Sequence, residues 1–334
     1  MYAIYIYCIS LSNQRHTLYS NIYTHLILQK GDYDSALEIF FKILRGLQND
    51  DGDKPHLLGS CWHNIGTIQC WQGKYSDAKE SFEQAVAVRD MDLPPNHPDV
   101  AVSLMRYSLT LFALGHLSDS ILALNRALTM HPKDSMTRAK ILNNLGVVHY
   151  QSQDLVSALK HFTAALEIQR EWLDGPVRRE SIVYDATVTL GNMGKCYLQR
   201  QDYVTACFVY EEALLLQMTA FRKDHDIVLV SLSNLAHAKA KEGDAKKSIQ
   251  IYRGILKSQD GKYGENSKSA AETQSILGQM YLSQYNYEEA LKCFTSVREW
   301  QKLNLDPNHP AAVYVSETVK MAEEKIQGEV SVWI

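Results

Sequence analysis

The side chains most able to do chemistry in this 334-residue sequence are a pair of histidines and six scattered cysteines. His149 and His161 flank one short polar turn, a spacing at which two imidazoles could share a metal ion or act as acid and base. Such sites need further converging ligands, so the preferred interpretation is a pair of helix-surface residues. Cys207 and Cys293 stand among apolar neighbours, which favours inert buried thiols.

Known catalytic motifs are missing from the sequence. It has no Gly-rich phosphate loop after a strand, no GxSxG and no HExxH. The six cysteines form no CxxC pair, which argues against a zinc site or a disulfide scaffold and favours a reducing, cytoplasmic compartment. We therefore predict that the chain is not an enzyme and uses no cofactor or metal.

Composition restricts the class of partner. Apolar residues make up 46% and charged residues 22% of the chain, which is enough for a large buried core. The formal net charge of -4 lacks the cationic field of non-specific nucleic-acid binding, so we predict no nucleic acid. The apolar N-terminus is too short to span a bilayer, and no other segment approaches the required ~20 residues, so we predict no membrane span.

The elements that position all side chains are repeats. Blocks such as NIGTIQCWQGKYSDAKESFEQAV and NLGVVHYQSQDLVSALKHFTAAL each predict a helix, a short polar turn and a second helix. A small or short side chain recurs in the first helix at intervals of 42, 42, 38, 48, 42 and 42 residues. These positions are Thr24, Gly66, Ser108, Gly146, Gly194, Ala236 and Gly278. The longest interval places a length change around residues 171–180.

The second helices repeat a complementary pattern. A small residue early in each helix, such as Ala158 or Ala206, is followed four residues later by a large one, such as Phe162 or Tyr210. A small side chain lets two helix backbones approach, and a bulky one a turn later fills the space between layers. The pattern predicts antiparallel helix hairpins stacked side by side.

These columns resemble the tetratricopeptide repeat over residues 14–326. The usual period is about 34 residues, and a unit of 42 residues with His-Pro before the next helix is similar to the repeats of kinesin light chains. The resemblance implies an all-α fold, a right-handed superhelix (α-solenoid) of about seven hairpins with a C-terminal capping helix. No N-terminal heptad segment precedes the repeats, so pairing with a motor heavy chain is not predicted.

The predicted organisation has three parts. Residues 1–13 are a lead-in, 14–326 the repeats and 327–334 a tail. The predicted hairpins are 14–47, 57–89, 98–130, 135–171, 179–221, 225–258 and 267–303, with the cap at 309–326.

In this family the first helices line a concave groove that binds peptides, and asparagine at one motif position commonly bonds the peptide main chain. The resemblance assigns peptide binding to Asn64, Arg106, Lys140, Asn144, Asn192, Lys195, Asn234 and Lys241. Only Glu272 is acidic at these inner positions, which leaves a charge of +3 and predicts an acidic peptide ligand. Val102, Met105, Leu109 and Phe112 form either an apolar pocket in the groove or part of the core.

The predicted function is a non-catalytic adaptor or scaffold that binds peptide segments of partner proteins, as the resemblance to kinesin light chains suggests. One alternative is a carboxylate clamp of the kind found in chaperone cofactors. Lys140, Asn144 and Asn192 match that clamp, but Val230 and Asn234 replace its basic pair. The other alternative is a regulatory domain of an enzyme complex.

Overall fold

The computed structural model describes residues 32–49, 55–131, 135–175 and 180–331, and its regular structure there is entirely helical. The predicted all-α fold is therefore confirmed. The helices are α1 (Tyr33–Asn49), α2 (Pro55–Trp71), α3 (Tyr75–Asp92), α4 (Pro98–Ala113), α5 (Leu117–Thr129), α6 (Met136–Gln151), α7 (Leu155–Leu173), α8 (Glu180–Gln199), α9 (Tyr203–Gln217), α10 (Asp226–Glu242), α11 (Ala245–Tyr263), α12 (Lys268–Ser283), α13 (Tyr287–Asn304) and α14 (Pro310–Ser331).

The chain divides into two compact units, Met1–Arg178 and Arg179–Ile334. Within each unit every described helix packs mainly against the next one along the chain, as hairpins stacked in sequence order require. The first unit holds α1 to α7 and the second holds α8 to α14. The boundary falls in the connection where the repeat interval lengthens. The predicted lead-in and the first helix of the first hairpin lie outside the described residues.

Polar side chains at the helix starts explain where the helices begin. The second helices α7, α9, α11 and α13 follow Asp154, Asp202, Asp244 and Asn286, whose side chains accept the backbone N–H three residues on. At the His-Pro and related connections the caps are histidines instead. The Nδ1 atoms of His97, His225 and His309 accept the N–H two residues later at 3.2 to 3.3 Å. The recurring histidine in these connections is thus a helix cap.

The turn inside each described hairpin uses a left-handed residue. Gly73, Gly115 and Gly243 fill this position in three hairpins with positive φ. Gln153, Gln201 and Tyr285 fill it in the others, with φ near 60°. A side chain in this conformation costs about 1 to 2 kcal/mol per residue, so these three turns are strained.

Glycine at one of the strained turns should stabilise the protein. Gln201→Gly would remove the cost of the left-handed conformation but would add some backbone entropy to the unfolded chain. We therefore expect the free energy of unfolding to rise by about 0.5 to 1 kcal/mol. A urea titration followed by circular dichroism measures the gain. Gly243→Gln, the reverse change at an equivalent turn, should lose a similar amount, and equal stability of both variants with the wild type would contradict the strain.

In several hairpins an aromatic ring of the second helix lies on a glycine of the first helix. A Cβ placed on Gly146 would lie 2.5 Å from the Phe162 ring, one on Gly194 2.4 Å from Tyr210, and one on Gly278 2.7 Å from Phe294. These aromatic side chains are almost fully buried. The small residues of the first helices and the large residues of the second helices therefore contact each other in the core.

Three of the four apolar candidates in the third predicted hairpin contribute to the core of the first unit, and the fourth, Leu109, is half-buried. Val102 and Met105 are both buried, and Met105 lies in one cluster with Leu104, Leu124 and Leu145. Phe112 packs against the same cluster. The structure thus favours the core interpretation for these side chains.

Candidate peptide-binding face

The eight predicted site residues all lie on first helices of hairpins, four in each unit. In the first unit Asn64 is on α2, Arg106 on α4, and Lys140 and Asn144 on α6. In the second unit Asn192 and Lys195 are on α8, and Asn234 and Lys241 on α10. The motif-equivalent residues Asn144 and Asn192 therefore belong to different units, and each unit is described by itself.

Accessibility separates these residues into two groups. Asn64, Arg106, Lys140, Lys195 and Asn234 are half-buried, and Lys241 is exposed. Asn144 and Asn192, by contrast, are only 1% and 4% exposed. Both polar atoms of the Asn144 amide lack a hydrogen-bond partner, a state that costs about 1 to 3 kcal/mol for a buried polar group. Two predicted contact residues are thus closed to solvent in this structure.

Hydrogen bonds between first helices fix the inner positions of the first unit. A ring nitrogen of His63 on α2 lies 3.2 Å from the Ser103 hydroxyl on α4. Two helical turns further on, Cys70 Sγ lies 3.4 Å from the Thr110 hydroxyl. Asn64 and Arg106 occupy equivalent positions on these two linked helices, so their spacing is set by the packing of α2 on α4.

Positive charge dominates around these positions. The pKa of His63 lies well below its ordinary value because of burial first, and then because of the charges of Arg89 and Arg106. A buried imidazole beside two guanidinium groups stays neutral. His63 is therefore a neutral side chain next to two basic ones, Arg89 of α3 and Arg106 of α4.

The inner positions of the second unit are also basic but less uniform. Burial lowers the pKa of Lys195, so its ammonium group is partly withdrawn from water. Burial and then Lys241 lower the pKa of His237 on the same helix as Lys241. Glu272 on α12 is exposed and lies 4.0 Å from Lys268, so a lysine on its own helix offsets its charge.

The structure contains a column of polar residues that the small-and-large pattern of the repeats does not reveal. We call it the buried polar column. Its members stand 23 residues after the small residue of the first helix, and they include Arg89, Gln217, Gln259 and Gln301. Three of them bond a hydroxyl 14 residues later along the chain: Arg89 donates to Ser103 (2.6 Å), Gln217 donates to Ser231 (2.9 Å), and Gln259 accepts from Thr273 (2.8 Å). Aligning polar residues, and not only small and large ones, would have revealed this link between hairpins.

The histidine pair and the cysteines have defined surroundings in the structure. His149 and His161 stack with their rings 5.2 Å apart, and His149 Nδ1 lies 3.4 Å from Asp154 Oδ2. The described residues contain no group of three or more metal-binding side chains. Burial raises the pKa of the Cys61 and Cys196 thiols to about 12 and of Cys207 and Cys293 to about 11. At neutral pH these thiols are protonated and weak nucleophiles.

Comparisons with known proteins give matches to tetratricopeptide repeats and to a kinesin light chain-related protein. Models of the tetratricopeptide repeat match residues 57–133 and 109–171. The kinesin light chain-related 3 protein of Arabidopsis thaliana is 21% identical over 254 residues, which are 74% of this chain and 38% of that protein. The chain therefore spans well under half the length of this relative.

Two solved structures illustrate the shared fold. BtubC (BKLC) of P. vanneervenii superposes with a TM-score of 0.58 at 16% identity, covering 69% of this chain and 91% of that one. A tetratricopeptide repeat protein of Parabacteroides merdae gives a TM-score of 0.56 at 16% identity, covering 93% and 100%. The family models thus identify tetratricopeptide repeats in residues 57–171, and the solved structures share the stacked-hairpin fold of this chain. Its repeats resemble those of kinesin light chains.

One further finding concerns membranes. None of the helices in the described part of the chain combines the length and apolarity needed to cross a bilayer.

Proposed function

We propose that this protein is a non-catalytic adaptor of the cytoplasm that binds acidic peptide segments of partner proteins at the inner positions of its first helices. The observation that carries the proposal is the set of residue types at the inner positions of the first unit. Arg106 and Lys140 are basic there, Asn64 offers an amide, and the inner positions of α2, α4 and α6 include no carboxylate. Tetratricopeptide folds serve as scaffolds for protein partners through their inner surface.

Each type of side chain has its own part in the proposed recognition. Asparagine amides donate to and accept from a peptide backbone, and basic groups attract carboxylate side chains. Asn144, with both amide atoms unpaired, would gain two hydrogen bonds if a peptide main chain displaced the side chains that cover it. Binding would then relieve an unfavourable state of the unliganded protein.

Neutralising the basic positions should weaken binding of acidic peptides. We expect Arg106→Gln combined with Lys140→Gln to lower affinity about ten-fold, since hydrogen bonds to charged groups contribute about 1.5 to 3 kcal/mol each when well formed and less where water competes. The measurement is fluorescence anisotropy with an array of extended acidic peptides, at low and at physiological salt. The loss should be larger at low salt because solvent ions screen exposed charges.

The control variant combines Lys320→Gln with Lys325→Gln, two exposed lysines of α14. It changes the net charge equally but not the inner positions, and its affinity should match the wild type. If both double variants lose affinity to the same extent, net charge and not the inner face governs binding. Peptides with an amidated C-terminus test the carboxylate clamp: unchanged affinity supports recognition of an internal segment, and loss of binding supports the clamp.

A further inference from the structure

The outer side of α9 exposes a line of apolar side chains. Val204, Phe208 and Leu215 are 67%, 66% and 70% exposed, and Met218, just beyond the helix end, is 52% exposed. Their spacing of 4, 7 and 3 residues places them on one side of the helix. We call these four residues the α9 stripe. Contiguous exposed apolar side chains of this size mark interaction surfaces more often than isolated ones.

The repeat itself does not require the α9 stripe. In the next hairpin the positions 42 residues later than Val204, Phe208 and Leu215 are Lys246, Gln250 and Lys257. The opposite side of α9 already supplies its share of the core through Ala206, Tyr210 and Leu214. Packing within the hairpin therefore leaves the apolar character of the stripe unexplained.

A basic row lies on the neighbouring second helix. Lys246, Arg253 and Lys257 are exposed on α11, and none of them pairs with a carboxylate among the described residues. We call these three residues the α11 row. Lys246 and Lys257 stand at the repeat positions of Val204 and Leu215, and Arg253 stands at that of Glu211. The α11 row and the α9 stripe therefore face the same way on successive hairpins.

The two helices pack against the same first helix, α10. Both α9 and α11 contact α10, and Ile251 of α11 packs against the cluster formed by Tyr210, Leu214 and Leu235. Glu211 is the acidic group within the line of the stripe, and Lys239 of α10 lies 3.5 Å from it. Second helices of two successive hairpins thus present an apolar stripe and a row of basic side chains at equivalent repeat positions.

We propose that the α9 stripe and the α11 row together form a docking surface for an acidic amphipathic helix of a partner protein. Apolar side chains of that helix cover Phe208 and Leu215, and its carboxylates face Lys246 and Lys257. The complementary charges fix the orientation of the partner and speed its association. This surface lies on second helices, so it is separate from the inner positions of the proposed function, and one protein could hold two partners.

The experiment uses the whole protein and a synthetic helix with leucines along one side and glutamates along the adjoining side. Binding is followed by fluorescence anisotropy. We expect Phe208→Ser combined with Leu215→Ser to weaken binding about ten-fold or more, because the apolar contact is lost. Lys246→Glu combined with Lys257→Glu should weaken it similarly and should bind a lysine version of the peptide more tightly than the wild type does. All four positions are exposed, so the circular dichroism of the variants should match that of the wild type.

Matched controls define the results that would overturn the proposal. Lys320→Glu combined with Lys325→Glu reverses two exposed charges of the same unit and should leave binding unchanged. Failure of the wild type to bind the peptide would overturn the proposal, as would an effect of charge reversal without any effect of the serine variants. Loss of binding in the Arg106→Gln, Lys140→Gln variant would place the peptide at the inner positions instead. Stripe-dependent binding to phosphatidylserine vesicles, without peptide binding, would also overturn it and would indicate a lipid surface.

Discussion

Alanine at position 194 should destabilise the protein by about 2 to 3 kcal/mol, the range for an overpacked core. The added Cβ would lie 2.4, 2.5 and 2.9 Å from three ring carbons of Tyr210. That ring is almost fully buried, so it has little space to move away. Alanine favours a helix over glycine by up to ~1 kcal/mol, and the steric cost should exceed this gain. Urea unfolding followed by circular dichroism measures the difference.

Two other glycines provide a graded control. Gly191, three residues earlier on the same helix, has no neighbouring atom within 4 Å of the place that a Cβ would take, so Gly191→Ala should be neutral or stabilising. Gly66 is intermediate because its added Cβ would lie 3.1 Å from the Phe82 ring. The stability of the alanine variants should therefore fall from position 191 through 66 to 194. Equal stability of the three would show that ring contacts do not set the distance between the helices of a hairpin.

The second large effect is expected at Arg89, which is only 2% exposed. Its guanidinium donates to the Asp99 carbonyl at 2.8 Å, to the Ser103 hydroxyl at 2.6 Å and to the Ser60 hydroxyl at 3.4 Å. Arg89→Ala removes these bonds, leaves buried acceptors unpaired and opens a cavity. We expect a loss of about 3 to 5 kcal/mol, measured by thermal and urea unfolding.

Arg89→Gln tests whether Arg89 belongs to the buried polar column. Glutamine stands at the equivalent position in later hairpins, where Gln217 donates to Ser231. A glutamine at 89 can make the same bond to Ser103, so its cost should be well below that of alanine. If both variants lose the same stability, the link between hairpins at this junction depends on the positive charge and not on the shared hydrogen bond.

The hairpins could be predicted well from the sequence because their determinants are local. A small residue, a turn and a ring at constant spacing are enough to close two helices on each other, as Gly146 and Phe162 show. The left-handed turns at Gln153, Gln201 and Tyr285 also follow from alignment with glycine in the other repeats. Periodicity carries this information directly, since each repeat obeys the same steric rule.

The candidate site was less predictable because exposure depends on neighbours from other hairpins. Asn144 and Asn234 share one motif position, yet Asn144 is fully enclosed and Asn234 is half-buried. The motif fixes the direction of a side chain from its own helix but not how closely surrounding helices approach. The polar bonds of Arg89 join residues of successive hairpins, and a pattern read within one repeat does not show them.

The nearest-neighbour packing of the helices has a mechanical consequence. Within each unit a described helix is held almost entirely by the helices before and after it in the sequence. A pulling force applied to the two ends of such a unit loads its junctions in series, so the junction with the least packing opens first. The contacts between α5 and α6 and between α11 and α12 are the sparsest within their units. Stretching should therefore extend each unit in steps that begin at these junctions, and release should let hairpins close again through short-range contacts.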